Sequence, residues 1–198
     1  VKPLLVGESN PHQTNAEDAM RFALYPEPPH ASGGRLCRIV MGLDERTYLR
    51  SFDRVDLCHP KWSLPAARAR AAELVGERAS TDVIVLCGVK VAEAFGGGYE
   101  PFRVYRAAFG AGPELVVLPH PSGLNRLWHQ PGAVARARAV LREAGVLMCS
   151  PCPHGDDKGV SHGCQSNICP YAEDHHVHHG IGTRVFLPHS FRSVEERP

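Results

Sequence analysis

Apolar residues gather in four short runs, at 2–7, 53–58, 82–87 and 114–118, separated by longer stretches with helical texture. The first run is Leu4-Leu5-Val6 ending in Gly7. The third and fourth have Val-Ile-Val-Leu and Leu-Val-Val-Leu at their centres, and the second alternates polar with apolar side chains. Runs this short, rich in β-branched residues and bounded by glycine, proline or aspartate, read as strands. Helices are predicted over 34–41, 45–52, 65–78, 89–95 and 132–144, with a turn or two of helix around 16–24. The helix over 65–78 is rich in alanine and arginine and carries Pro65 in its first turn, where a missing N–H costs nothing. Gly96-Gly97-Gly98 stops the helix over 89–95. Strands alternating with helices imply a parallel sheet covered on both faces. The expected fold is therefore α/β, a three-layer α/β/α sandwich around a four-stranded parallel sheet. No internal repeat is visible. From about Met148 the periodicity gives way to Cys, His, Pro and Gly, which predicts a core domain over 1–147 and a separate segment over 148–198.

Composition narrows the picture in three ways. The 198 residues suit one domain with a small appendage, and 43% apolar content is enough for a core. No run is long enough to span a membrane and no signal-peptide pattern opens the sequence, so the expectation is a cytoplasmic protein, a monomer with no membrane partner. Net charge is +1, so any surface for nucleic acid must be a local patch. Only four of the 22 basic residues are lysines.

The stretch richest in chemistry is Leu118-Pro119-His120-Pro121-Ser122-Gly123-Leu124-Asn125-Arg126. Two prolines and a glycine end the fourth strand and force an irregular loop at its carboxyl end, where open α/β sheets place ligand sites. His120, Pro121, Ser122 and Leu124 fall in the register His-Pro-Ser-x-Leu, which resembles the second signature motif of the uracil-DNA glycosylase superfamily. Gly7-Glu8-Ser9-Asn10-Pro11-His12, after the first strand, looks like that superfamily's first motif. Two such loops in this order, about 110 residues apart, resemble the superfamily over roughly residues 3–145.

The resemblance implies hydrolysis of a base from deoxyribose. The departing base takes up negative charge while the sugar becomes oxocarbenium-like, so the site needs a donor aimed at the base, a group that places water and a flat pocket for the extruded base. His120 is the implied donor to a pyrimidine O2. Asn10 is the implied holder of water, and a one-residue slip in register puts Glu8 near the sugar instead. Glu8 and His12 are further candidates for base contact. Tyr25 is the implied stacking ring; Phe22 competes for that role, but its helical neighbourhood reads as core. Leu124, on a polar loop, is the implied wedge that fills the gap left in the duplex. Ser122, Gly123, Asn125, Arg126, Arg35 and Lys61 are candidates for contact with the DNA backbone, and Trp62 and Trp128 flank these loops as core residues or base platforms. With no lysine placed as a Schiff-base nucleophile, the implied product is an abasic site. No redox or nucleotide cofactor is implied.

Asp56 departs from the pattern. The residue that reads the base edge in this superfamily is commonly Asn, which matches uracil. A carboxylate faces uracil O4 as acceptor against acceptor and suits the exocyclic amine of cytosine. Pairing with cytosine N3 as well requires a protonated carboxyl or a protonated base. An enzyme that removed ordinary cytosine would destroy its own genome, so the consistent substrate is a modified cytosine, such as a glucosylated hydroxymethylcytosine of phage DNA, in an antiviral role. The segment 26–34 and the loop His59-Pro60-Lys61-Trp62 are the expected walls for the extra group. The alternatives are a glycosylase for uracil or another deaminated base, a DNA-binding or abasic-site-binding module without turnover, and a zinc hydrolase that uses the His-rich tail.

Seven cysteines divide into two sets. Cys37, Cys58 and Cys87 sit within the apolar pattern and read as small buried hydrophobes. Cys149-x₂-Cys152 and Cys164-x₄-Cys169 make a tetrahedral donor set expected to hold a structural zinc, with nearby histidines as substitutes. An iron–sulfur cluster or free thiols are the other readings.

Overall fold

The computed structural model describes residues 1–10, 15–107 and 112–147, with the backbone of 185–186. Four apolar runs form parallel strands as expected: β1 (Leu4–Ser9), β2 (Asp53–Cys58), β3 (Val83–Cys87) and β5 (Glu114–Leu118). The sheet is larger than the four strands expected. A fifth strand, β4 (Arg103–Ala107), runs antiparallel along the far edge of β5, pairing Arg103 with Val117, Val104 with Val116 and Tyr105 with Leu115. Its apolar signal in the sequence is short, because only Val104 and Tyr105 separate Arg103 from Arg106. The order is β2-β1-β3-β5-β4, and the two-residue β6 (Val185–Phe186) lies beside β4.

Strand alternation sends side chains into two cores. Leu5, Val85, Cys87, Val116 and Leu118 point to one face, where they meet Leu36, Val40, Tyr48, Val140 and Leu141. Leu4, Val6, Ile84, Leu86 and Val117 point to the other, where Ala67, Ala71, Leu74 and Val91 cover them. The period of two along each central strand requires helices on both sides, and both are present.

On the first face lie α1 (Ala16–Arg21), α2 (Ser32–Arg35) with its π-helical continuation Leu36–Met41, α3 (Glu45–Ser51) and α6 (Ala133–Glu143). Asn15 starts α1 by accepting the Asp18 N–H at 2.7 Å, and Asp44 does the same for α3 from Thr47 at 3.0 Å. On the second face lie α4 (Leu64–Gly76) and α5 (Val89–Ala94). In α4 the buried positions Ala67, Ala71 and Leu74 recur at intervals of four and three, which lays one narrow stripe on the sheet.

The chain passes from β1 outward to β2, then returns across β1 to β3. The strand order therefore reverses at β1 and β3. Their carboxyl ends open the crevice in which α/β sheets hold ligands. No helix among the described residues is long and apolar enough to cross a membrane.

Candidate functional site

The carboxyl ends of β1, β2 and β5 open into a cavity of about 540 Å³. Glu8, Ser9 and Asn10 line it from the end of β1, Asp56 from β2, and His120, Ser122 and Gly123 from the loop after β5. The opposite wall comes from the connection between α1 and α2: Phe22, Leu24 and Tyr25, then Glu27, Pro28, His30 and Ala31, and finally Ser32 and Gly33 at the start of α2. Residues expected from separate parts of the sequence to share a site, namely Glu8, Asn10, Tyr25, Asp56, His120, Ser122 and Gly123, are thus brought to one place.

Asp56 is buried, at 6% exposure, and sits opposite Gly7 in the β1–β2 register. A β-carbon on Gly7 would collide with Asp56 Oδ1 and come within 3.2 Å of Leu24 Cγ, so the carboxyl reaches the cavity over a position that only glycine leaves clear. The ion pairs of the described residues do not include Asp56. Burial, helped by the nearby Glu8 carboxylate, raises its pKa from the ordinary 3.8 to about 7. At neutral pH this carboxyl is therefore poised between acid and anion.

Neighbouring Arg54 does not neutralise it. The Arg54 guanidinium lies over the rings of Tyr25 and Tyr48, each at 5.9 Å, and its Nε and Nη1 are buried with no hydrogen-bond partner among the described residues. Tyr48 in turn donates its hydroxyl to Leu24 O at 3.0 Å. Cation and ring together seat the Leu24–Tyr25 backbone from below.

His120 is fixed by its own loop. The Ser122 N–H donates to His120 Nδ1 at 3.3 Å, and Trp128 Nε1 donates to the His120 carbonyl at 2.8 Å. Nδ1 acts as acceptor, so the proton of the neutral ring is on Nε2. Burial lowers the His120 pKa; Glu8 opposes that change and Lys90 adds to it. The ring is accordingly neutral at pH 7, with one N–H to offer.

The rest of the loop is braced at every turn. Arg35 Nε donates to Pro121 O at 3.1 Å, Ser122 Oγ accepts the Leu124 N–H at 3.2 Å, Asn125 Oδ1 accepts the Leu127 N–H at 3.1 Å, and His129 Nε2 lies 3.0 Å from Gly123 O. Asn125 opens the 3-10 turn Arg126–His129. Three expected DNA contacts, Arg35, Ser122 and Asn125, thus have structural duties in this loop. At its tip Leu124 is 92% exposed, a large apolar side chain with no packing partner among the described residues.

Glu8 meets Lys90 of α5 at 2.7 Å, and that ammonium lies 5.9 Å from the Trp62 ring centre. Asn10 Nδ2 reaches Phe22 O at 3.4 Å, linking the first loop to the opposite wall. Phe22 was expected in the core. It is instead half-buried on the cavity wall, edge-on to Tyr25 with ring centres 5.3 Å apart. The signal that could have placed it is its position just past α1, where the chain leaves the helix. The loop His59–Trp62, expected to wall the cavity, does not line it: Trp62 packs on the core beneath α4, and Lys61 lies outside the lining. Trp128 packs against the other core and touches Phe102 edge-on.

His12 lies outside the described residues, as do the metal-ligand candidates Cys149, Cys152, Cys164 and Cys169. Among the described residues no group of three or more His, Cys, Asp or Glu side chains is placed to hold a metal ion. No protein-family model matches the chain, and no curated protein matches it.

Proposed function

We propose that this protein is a monofunctional DNA glycosylase acting on a flipped pyrimidine. One observation carries the reading: a buried acid, a neutral histidine with its proton on Nε2, a carboxamide and an aromatic ring, from four separate segments, line one cavity beside an exposed leucine. In this reading the extruded base lies against Tyr25, with Phe22 edge-on behind it. His120 Nε2–H donates to O2 of the base. The C1′–N1 bond breaks, its electron pair leaves with the ring and the charge settles on O2, where the histidine donor meets it. Water held by Asn10 and the Glu8 carboxylate adds its oxygen to C1′ and passes its proton to Glu8 and then to solvent. No lysine among the described residues lines the cavity, so in this reading no Schiff base forms and the product is an abasic site. Leu124 enters the space the base has left.

Asp56 is the base reader. As a neutral acid it donates O–H to cytosine N3 and accepts from N4–H₂, satisfying both positions of that edge. This favours cytosine that carries a modification, because ordinary cytosine is not a tolerable target. The same acid is ambivalent: it can also donate to uracil O4 and accept from N3–H. Its protonation at neutral pH therefore keeps uracil as a second reading.

An excision assay decides between them. Duplex oligonucleotides bearing uracil, hypoxanthine, cytosine or 5-hydroxymethylcytosine are incubated with the protein, then treated with alkali to cut abasic sites. Cutting at 5-hydroxymethylcytosine but not uracil, abolished by His120→Ala, is the expected result. Cutting at uracil alone returns the protein to repair of deaminated bases. Tight binding with no cutting of any base, unchanged by His120→Ala, overturns the enzymatic reading.

A further inference from the structure

Trp128, Phe102 and Arg136 line no part of the cavity, yet they form one chain of contacts that ends on His120. The Trp128 Nε1–H donates to the His120 carbonyl at 2.8 Å. Phe102 meets the indole edge-on, with ring centres 5.7 Å apart and planes at 90°. The Arg136 guanidinium lies 4.8 Å from the Phe102 ring centre, and its Nη2 donates to Gln130 Oε1 at 2.9 Å. Three elements thus converge: the start of β4, the 3-10 turn Arg126–His129 and α6.

Phe102 holds an unusual backbone in making that contact. Its φ is 59°, in the left-handed region that a bulky L side chain enters at a cost. Its N–H donates to Val117 O at 2.7 Å, so the chain is already turned onto β5 at this point. Glycine would take the same backbone freely, so the ring, not the turn, is what this position adds. That ring packs on the core and makes two directed contacts, to Trp128 and to Arg136.

The carbonyl that Trp128 holds governs the donor that holds the imidazole. His120 Nδ1 accepts the Ser122 N–H, and Pro121 stands between that N–H and the His120 carbonyl. Peptide groups are planar and proline fixes φ, so one soft torsion remains between the two planes. Turning the carbonyl therefore turns the Ser122 N–H. Gly88 stands close by: a β-carbon there would lie 3.2 Å from His120 Cβ and 3.4 Å from Cδ2, so the histidine has little room to move that way. We infer that Trp128 is a positioning residue for His120, aimed by Phe102 and Arg136 from outside the cavity. Its effect on rate rests on the glycosylase reading above; its effect on the imidazole does not.

The test uses Trp128→Phe, which removes the N–H and keeps a ring, Phe102→Leu, and the two together. Each is measured by kcat and KM on the base that the parent protein excises, by melting temperature, and by nitrogen NMR of the His120 imidazole. In Trp128→Phe, kcat is expected to fall about tenfold while KM changes by less than about twofold, the scale of one lost hydrogen bond that orients a reacting group. Phe102→Leu should lower kcat about threefold, and Phe102→Tyr, which keeps a ring under Arg136, should match the parent. The double variant should be no slower than Trp128→Phe alone, because the indole N–H is the last link. In Trp128→Phe and Phe102→Leu alike the His120 resonances should shift from the Nε2–H tautomer toward a mixture. Phe102 lies outside the loop, so its variant tests the chain even if Trp128→Phe folds poorly. A lower melting temperature with kcat and the imidazole resonances unchanged overturns the inference and leaves the glycosylase standing: Trp128 would then be core packing alone. Effects that multiply in the double variant overturn the route through Phe102. If the parent protein shows no His120-dependent excision of any base, the glycosylase reading falls, and the imidazole resonances decide the inference by themselves, shifted for it and unchanged against it.

Discussion

Glu8, Asn10, Asp56 and His120 reach the cavity from the ends of parallel strands, whereas Tyr25, Glu27 and His30, from the connection between α1 and α2, and Ser32, from the start of α2, reach it from a segment that contains no strand. The first wall inherits its geometry from the sheet: register sets Asp56 against Gly7, and the turn after β5 sets His120. The second wall is fitted by contact of backbone on backbone, with Gly33 and Gly34 as the points of closest approach. A buried, unpaired carboxyl is stored on the wall that the sheet makes rigid. The polar groups Glu27, His30 and Ser32 line the wall that carries no strand.

The largest expected effect strikes the strand-end wall alone. His120→Ala should lower excision by about 10²–10³, the usual cost of removing one donor to a developing anion. Because His120 lies in a loop held by Trp128 and Arg35, the melting temperature should change little. A large loss of stability in this variant would mean that the histidine holds the loop rather than the base.

Asp56 tests whether that wall sacrifices stability for function. Its carboxyl titrates at 3.8 unfolded and at about 7 folded, so the folded state binds the extra proton between those values. The burden on stability is absent below pH 3.8, grows as the pH rises to about 7 and is constant above it, reaching at most ~4 kcal/mol. Asp56→Asn should therefore be more stable than the parent protein at pH 8 and no more stable at pH 4, as chemical denaturation at the two values would report. Excision by the parent protein should decline as the pH rises through about 7, because the anion can no longer donate to the base. In the Asn variant that decline should vanish, since an amide does not titrate there.

A pair of glycine variants compares the two walls directly. At Gly33 an added methyl meets the Leu24 and Tyr25 backbone, which has no room to yield, so Gly33→Ala should cost ~1–3 kcal/mol or more. At Gly7 it meets the side chains of Asp56 and Leu24, which can rotate. Gly7→Ala should therefore cost less stability but lose base discrimination, read as a narrower gap between substrates in the excision panel. The reverse outcome would mean that the connection, not the sheet, is the compliant wall.

The two walls were also unequally legible in the sequence. Strands β1, β3 and β5 announce themselves by apolar runs and β2 by its alternation of polar and apolar side chains, while the residues at their ends were assigned to one site through the family resemblance. Strand β4 gives no such signal, because Arg103 and Arg106 surround its two inward residues. Of the second wall, Tyr25 was expected from the resemblance; the rest was visible only as a Pro- and Gly-rich stretch, and which of its side chains line the cavity was not. Phe22 has a helical neighbourhood and so resembled core, and His59–Trp62 was expected at the cavity but does not line it. Where backbone packs on backbone, as at Gly33, the neighbours are set by tertiary contact, which no local period records.

The smallest effect on the fold belongs to Leu124, and it isolates the last step of the comparison. At 92% exposure the side chain contributes almost nothing to packing, so Leu124→Ala should change stability by no more than ~0.5 kcal/mol. If it fills the gap in a base stack, its loss should slow excision from duplex, where the base must be held out against re-stacking. Excision from a single strand, where no stack competes, should be unaffected. The contrast requires both substrates in one experiment. An equal loss on both would mean that Leu124 acts on the cavity through its loop, moving His120, and the duplex would then be opened by some other part of the surface.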